Sequence, residues 1–383
     1  MNKDYNYIIV GAGSAGCAVA NRLSENPNNK VLLIEAGRSS HPVSRLPASF
    51  ALLIDNPKAN WRYRSEPEEN TSNRQIPIPR GKLLGGSSSI NGLVYVRGNK
   101  LDYDTWAQMG NTGWSYDDVL PFFKKIENYQ GEITELRSSE GPLKISEVVD
   151  KNPIYDGLFK GAGEIGIPVN KDYNGDEQEG ISYTQTTIFK GERMSAEVAY
   201  LKPIRSRKNL TIITNSLVTK LLFDGKTCIG VKVKNKNKIN EFFAQNEVIL
   251  CGGAINSPQV LELSGIGNRS ILEEKGISLV HELKGVGENL RDHLGPRLVY
   301  NITKRGISYN DKARGINLIK QVLTYAFKRE GFLTLPSAPV LGFFKTRKEL
   351  VAPDIQVHFI PYKVVLNNGK RTLGKEPGIT CTV

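Results

Sequence analysis

Tyr7-Ile8-Ile9-Val10-Gly11-Ala12-Gly13-Ser14-Ala15-Gly16 is the stretch that decides the fold. Its first four residues form a short apolar run suited to a buried parallel strand. A helical pattern follows from Ala15 to Leu23, and Val31-Leu32-Leu33-Ile34 reads as a second strand ending at Glu35. Strand, glycine turn, helix and strand within roughly thirty residues make a βαβ unit. In that setting each glycine has a task. Gly11 allows the tight turn, Gly13 lets backbone approach a pyrophosphate, and Gly16 lets the helix pack close to the strand. The free N–H groups of Ser14 and Ala15 at the helix start attract phosphate. Glu35 stands 19 residues after Gly16 and, with Ala36, is placed to meet the ribose of an adenosine. The chain carries its own control. Gly161-Ala162-Gly163-Glu164-Ile165-Gly166 has the same spacing but follows the helical pattern of Ile154 and Leu158, so it reads as a helix end and loop.

A second glycine run, Arg80-Gly81-Lys82-Leu83-Leu84-Gly85-Gly86-Ser87-Ser88-Ser89-Ile90-Asn91, lies downstream. Gly85 and Gly86 remove side chains where backbone must come close to a ligand. The serines and Asn91 offer hydroxyl and amide groups. Two such runs suggest one long phosphate-bearing cofactor held at two places.

Composition bounds the rest. The 383 residues suffice for one large domain or two ordinary ones. The net charge of +12 comes from dispersed basic residues, which fits a solvated surface better than a nucleic-acid partner. The densest cluster, Lys232 to Lys238, alternates as a hairpin would. Cys17, Cys228, Cys251 and Cys381 form no CxxC pair, so neither a zinc site nor a disulfide framework is expected. Met1-Asn2-Lys3-Asp4-Tyr5 leads almost directly into the first strand, leaving no room for a signal peptide. No apolar run is long enough for a membrane span. The expectation is a cytoplasmic protein, with peripheral membrane association left open.

Further strands are expected at Leu210–Ile213, Val218–Phe223, Cys228–Val233, Glu247–Leu250, Val340–Phe344 and Ile355–Ile360. Helices are expected at Asp117–Tyr129, with Pro121 near its start, at Pro153–Ile165, at Asn256–Leu263 with Asn256 or Ser257 as its cap, and near Ile316–Phe327. Residues 38–80 are rich in Pro, Asn and Ser without periodicity, a kind of stretch that is usually functional.

The second glycine run, continuing through Tyr95, Gly98 and Asp104, resembles the first signature of the glucose-methanol-choline oxidoreductases. Gly253-Ala254-Ile255-Asn256-Ser257-Pro258-Gln259-Val260-Leu261-Glu262-Leu263-Ser264-Gly265-Ile266-Gly267 resembles the second, and Gly285-Val286-Gly287-Glu288-Asn289-Leu290-Arg291-Asp292-His293-Leu294 is a further hallmark. The branch most similar contains the choline and aliphatic-alcohol dehydrogenases. The resemblance implies FAD, with Leu84, Gly85, Gly86 and Ser87 among its contacts. Asn91, Gly92, Leu93 and Val94 would pass beside the reactive part of the flavin, and the Val218 backbone would meet the adenine. Members that attach FAD covalently often carry His where Ile90 stands, so the cofactor is expected to be non-covalent.

The implied reaction is oxidation of an alcohol, with hydride passing to flavin N5 and electrons onward to a quinone or redox protein rather than NAD. The partner is thus a small-molecule alcohol. Choline-acting members usually carry Glu where Gly295 stands, which favours a primary aliphatic or aromatic alcohol. The family's catalytic histidine lies in a C-terminal segment that none of His41, His281, His293 and His358 matches. No catalytic residue and no metal is therefore assigned. Lys370 to Val383 reads as a sheet cut in mid-course, implying a fragment, split gene product or truncation that holds FAD weakly. A non-catalytic flavin-binding partner subunit is the alternative. The fold expected is α/β: a Rossmann-like FAD-binding domain (1–145 and 206–296) interleaved with an incomplete α+β substrate domain with a mixed sheet (146–205 and 297–383).

Overall fold

A computed structural model describes residues 4–367 and 370–383. Met1 to Lys3, read above as too short a lead for a signal peptide, lie outside the described residues. Among the described residues two compact units emerge, one of residues 4–45, 50–91 and 194–292, the other of residues 46–49, 92–193, 293–367 and 370–383.

The first unit is built on β1 (Tyr5–Val10), α1 (Ser14–Leu23), β2 (Val31–Ile34), β3 (Leu210–Ile213), β4 (Leu217–Asp224), β5 (Thr227–Asn235), β6 (Lys238–Leu250) and α2 (Gly253–Leu263). Its sheet runs β3-β2-β1-β6-β5-β4. The first four strands in that order are parallel, and β4, β5 and β6 form an antiparallel meander. Asn235 pairs with Lys238 across a two-residue turn, the hairpin anticipated from the alternating lysines. Ile8, Leu32, Ile34, Val231 and Val233 are fully buried and join Leu221 and Val260 in one apolar cluster. Each such side chain contributes roughly 1.5–3 kcal/mol by leaving water. The last turns of β6 differ from expectation, since Val248, Ile249 and Leu250 are only half-buried.

The second unit is built around a five-stranded sheet ordered Arg297–Asn301, Gly378–Thr382, Ile355–Ile360, Val340–Phe344 and Gly180–Tyr183. That sheet is antiparallel throughout. Mixed pairing occurs in a small sheet of Glu127–Tyr129, Leu143–Glu147 and Gln185–Thr186. Gly378–Thr382 has a strand on each side, so this segment is an interior strand rather than an open end of the sheet. The helix Pro153–Glu164 packs Ile154, Tyr155 and Ala162 against Ile181 and Val340. It ends as the control motif requires: Gly166 is left-handed (φ +78), Gly166 N–H donates to Gly163 O, and Ile167 N–H to Ala162 O. This pair of bonds closes a helix rather than cradling a phosphate.

Two readings need correction. The helix expected from Asp117 spans Tyr116–Ile126 and carries Pro121 in its interior, not near its start; Ser115 and Asp118 form a reciprocal cap that fixes its first turn. The chain leaves the first unit at residue 91 rather than 145, and returns to it at 194 rather than 206. Polar contacts explain both. Tyr95 N–H donates to Gln185 O and Tyr173 OH to Tyr95 O, tying 92–193 together. Asn21 Nδ2 donates to Tyr200 O and Ala196 N–H to Ser88 Oγ, tying 194–205 to the first unit.

A buried ion network anchors the second unit. Glu127, fully buried, lies 2.7 Å from Arg97 Nη2 and 3.0 Å from Arg137 Nε. Arg137 also reaches Asp172 at 2.7 Å and lies over the Tyr129 ring. Removing the shared anion leaves the Arg97 guanidinium without its carboxylate in a low-dielectric setting and leaves Arg137 with Asp172 alone. Glu127→Ala is therefore expected to cost about 3–5 kcal/mol, measured by urea denaturation.

Candidate functional site

Both glycine motifs belong to the first unit, and the structure brings them into backbone contact. Gly85 N–H donates to Ala12 O at 2.8 Å. A Cβ on Gly86 would lie 2.7 Å from Gly13 Cα. Gly85 and Gly86 are both left-handed, at φ +85 and +52, a conformation that disfavours any residue with a side chain. Beside this junction a cleft of about 590 Å³ opens, within the range of ligand pockets.

Gly11 and Gly16 of the first motif take the turn and packing tasks expected of them. Gly11 is left-handed (φ +98), and a Cβ there would meet Cys251 O at 2.6 Å. A Cβ on Gly16 would collide with Gly11 O, so the absence of a side chain seats α1 on the turn. Gly13 differs from both. Its backbone is extended, and a Cβ would meet nothing within 4 Å, because it would project into the cleft. The start of α2 repeats this arrangement: Gly253 (φ +83) has open space where a Cβ would stand, and it also lines the cleft. Two helices of ten and eleven residues thus begin at one cleft, each with uncommitted N–H groups and the positive end of its dipole.

Glu35 closes the other end. Its Oε2 accepts from Ala12 N–H (2.9 Å) and its Oε1 from Gly37 N–H (2.8 Å). Each oxygen retains lone-pair capacity for a hydroxyl. The carboxylate therefore braces the first glycine turn as well as lining the cleft. Burial raises its pKa above the ordinary 4.5, and the two N–H groups and Lys82 pull it back only in part.

Of the residues singled out from sequence, Gly11, Gly13, Ser14, Ala15, Glu35, Ala36, Gly86, Ser87 and Val218 line this cleft. Gly16, Leu84 and Gly85 lie behind its wall, where backbone packing rather than ligand contact uses them. Ser88 and Ser89 donate to Gly85 O and Leu84 O, so only Ser87 of the three serines faces the cleft. Asn91 is exposed outside the lining, and its N–H donates to Ser87 O. Gly92, Leu93 and Val94 belong to the second unit, where Leu93 is fully buried in a left-handed conformation (φ +69). Ile90 packs with Leu53, Ala59 and Leu83 and presents no nucleophile.

The second signature contributes directly, through Gly253 to Ser257 and through Gln259, Val260 and Leu263. Asn256 does not cap α2, which begins three residues earlier at Gly253; its Oδ1 accepts from Tyr63 OH instead. Sequence reading missed Trp61 and Tyr63, and placed Arg80 at the head of the second glycine run without giving it a role. Trp61 and Tyr63 stack 5.7 Å apart, with Lys82 Nζ 4.1 Å above the Trp61 ring. Trp61, Tyr63 and Arg80 all line the cleft. The only signal for Trp61 and Tyr63 was the long aperiodic stretch that contains them. None of the four histidines lines the cleft; His41, half-buried in its loop, contacts Asn56 Nδ2. Among the described residues no group of His, Cys, Asp and Glu could hold a metal ion, and all four cysteines are free.

Comparison with known proteins fits this geometry. The chain belongs to the GMC oxidoreductase family, whose model it matches over residues 5–295 and whose members are FAD-binding flavoproteins. It is 41% identical over 364 residues to an alcohol dehydrogenase [acceptor] of Pseudomonas putida, covering 93% of this chain and 65% of that protein. It is 39% identical to an oxygen-dependent choline dehydrogenase of Photobacterium profundum, covering 94% of this chain and 64% of that one. The chain thus spans just under two thirds of the length of these relatives. A formate oxidase of Aspergillus oryzae, solved in work on modification of its FAD, superposes with a TM-score of 0.91 at 28% identity, covering 99% of this chain and 72% of that one.

Three outcomes follow for variants. Gly16→Ala should lower stability by about 1–3 kcal/mol, since backbone must move to admit the methyl. Gly13→Ala should leave the urea midpoint within about 0.5 kcal/mol of wild type, yet weaken FAD binding about tenfold or more in a fluorescence titration. The Glu35 carboxyl binds its proton more tightly folded than unfolded, so its contribution to stability falls as pH rises from about 4.5 through the raised value. Glu35→Gln removes that slope. Its cost relative to wild type should be smaller near pH ~7 than near pH ~4 in paired urea titrations.

Proposed function

We propose that the first unit holds FAD without a covalent bond and that the protein serves the oxidation of a primary aliphatic or aromatic alcohol. The observation that carries this reading is the cleft itself. Two helix N-termini, two glycines with open space where a Cβ would stand, and a buried carboxylate line one cleft. Ser14, Ala15 and Gly253 would direct N–H groups at the pyrophosphate, and Glu35 would accept from the ribose. The stacked Trp61 and Tyr63 add an aromatic wall.

Oxidation of a primary alcohol removes hydride from carbon and a proton from oxygen, and FAD when bound supplies the acceptor for the hydride. The protein's own residues bind, orient and leave the flavin intact. Ile90 has no group that could form a bond to it. Cys251 lines the cleft, but burial raises its thiol pKa, so it stays protonated and a poor nucleophile. Cys17, pushed up to about 12 by burial, donates to Ala12 O and is inert. The electrons pass to a quinone or redox protein. Gly295, in place of a carboxylate, supports an uncharged alcohol over choline, because a quaternary ammonium needs an anion or an aromatic cage.

The absence of any histidine from the cleft lining favours a second reading, flavin binding without turnover. One experiment separates the two. With FAD added to saturation, anaerobic addition of primary alcohols should bleach the oxidised flavin spectrum. Stoichiometric flavin that stays oxidised across a panel of alcohols would establish the second reading instead. Acid precipitation should release all the flavin into the supernatant; flavin retained on the precipitate would contradict non-covalent binding.

A further inference from the structure

A second pocket of the first unit lies beside the cleft and is lined by cations. It has a volume of about 440 Å³ and gathers Arg38 and Ser39 from the loop after β2, Lys58, Lys82 and Asn215. Ala36 lines both pockets, so they share a wall next to Glu35. Four segments distant in sequence are joined there backbone to backbone. Leu84 N–H donates to Arg38 O at 3.0 Å, Lys82 N–H to Ala59 O at 2.8 Å and Asn215 N–H to Gly37 O at 2.7 Å. A Cβ on Gly37 would collide with Lys82 O, so the lack of a side chain lets the two segments lie against each other. Lys82 is steadied further by the Trp61 ring beneath its ammonium. The frame that carries the three cations is thus fixed before any ligand arrives, which spares a ligand the cost of ordering it.

No carboxylate lines this pocket. The acids on either side in sequence, Glu35 and Asp55, do not neutralise it. Glu35 feels the charge of Lys82, but its two oxygens accept from Ala12 and Gly37 N–H on the side of the cleft. Asp55 is exposed, stands outside the lining and forms no ion pair with Arg38, Lys58 or Lys82. The excess of positive charge is felt nearby: after burial, Arg38 and Lys58 hold the His41 imidazole below its ordinary pKa. Like charges gathered without a counter-charge repel, and an anion between them relieves the repulsion. The donors define which anion. Arg38 presents a planar fork of N–H groups, each lysine three N–H donors, and Ser39 a hydroxyl. Three cations suit a phosphate group, which carries nearly two charges above pH ~6 and three acceptor oxygens, better than a carboxylate with one charge and two oxygens. Neither of the helix starts that face the cleft lines this pocket, so it is separate from the place expected for the FAD pyrophosphate.

We infer that this pocket binds a phosphate group, as the free ion or as the monoester of a small metabolite, through Arg38, Lys58 and Lys82. The site stands apart from the cofactor reading, and FAD enters the test only to fill the other anion-binding surface. Calorimetric titration of the FAD-saturated chain with inorganic phosphate should show one saturable site, and chloride at matched ionic strength should show none. A parallel titration with glycerol 3-phosphate separates the two sources: tighter binding than inorganic phosphate assigns the monoester, equal or weaker binding the free ion. Lys58→Glu and Arg38→Ala should each weaken binding about tenfold or more. Lys58 is exposed, so Lys58→Glu should keep the wild-type urea midpoint. Lys226→Glu, at an exposed lysine in the turn between β4 and β5, makes the same change in net charge and should leave binding unaltered. Without bound FAD the comparison of wild type with Lys58→Glu reads the same site, so a failure of the cofactor reading leaves the test intact. The absence of saturable phosphate binding by the wild-type chain overturns the inference. So does a loss of binding in Lys226→Glu equal to that in Lys58→Glu.

Discussion

The contact on which the first unit depends is backbone against backbone: Gly85 N–H to Ala12 O, with Gly86 laid on Gly13. Side chains would hold these two turns apart. Glycine at 86 allows them to touch, and the touching turns bring both glycine motifs to one cleft. The net worth of the single hydrogen bond is about 1 kcal/mol. Its importance lies in register, because it places the start of α1 and the run from Gly81 to Ser87 around the same cleft.

Around that junction, the structure separates residues that shape the site from residues that face it. Gly11, Gly16 and Gly85 are needed because something else occupies the volume of a Cβ. Gly13 and Gly253 are different, for nothing of the protein occupies that volume at all. At these two helix starts the open position faces the cleft, so a ligand can approach the backbone there. Glu35 belongs to both groups, since it braces the turn through Ala12 and Gly37 and still lines the cleft.

Much of this was legible in the sequence, for physical reasons. The βαβ unit announced itself because a buried strand, a glycine turn and an amphipathic helix each leave a distinct local pattern, and β2 and β3 fall where expected. The false motif at Gly161–Gly166 was set aside correctly, because what precedes it is a helix. Four features were not legible. Ser88 and Ser89 look like ligand groups in sequence but bond to their own loop. Trp61, Tyr63 and Arg80 reach the cleft by long-range folding that no periodicity encodes. The exit from the first unit at residue 91 rests on distant pairs such as Tyr95 with Gln185. The outward apolar face of Gly315–Lys328 was likewise hidden, since periodicity gives a helix its stripe without saying which way it faces.

The central claim is that the two glycine motifs form one cradle for a dinucleotide pyrophosphate. A crystal structure of the chain soaked with FAD tests it most directly. The account predicts phosphate oxygens within hydrogen-bonding distance of the Ser14 or Ala15 N–H and of the Gly253 N–H, with the adenosine ribose against Glu35. Phosphates bound elsewhere, or a cleft occupied with its pyrophosphate away from both helix starts, would contradict it.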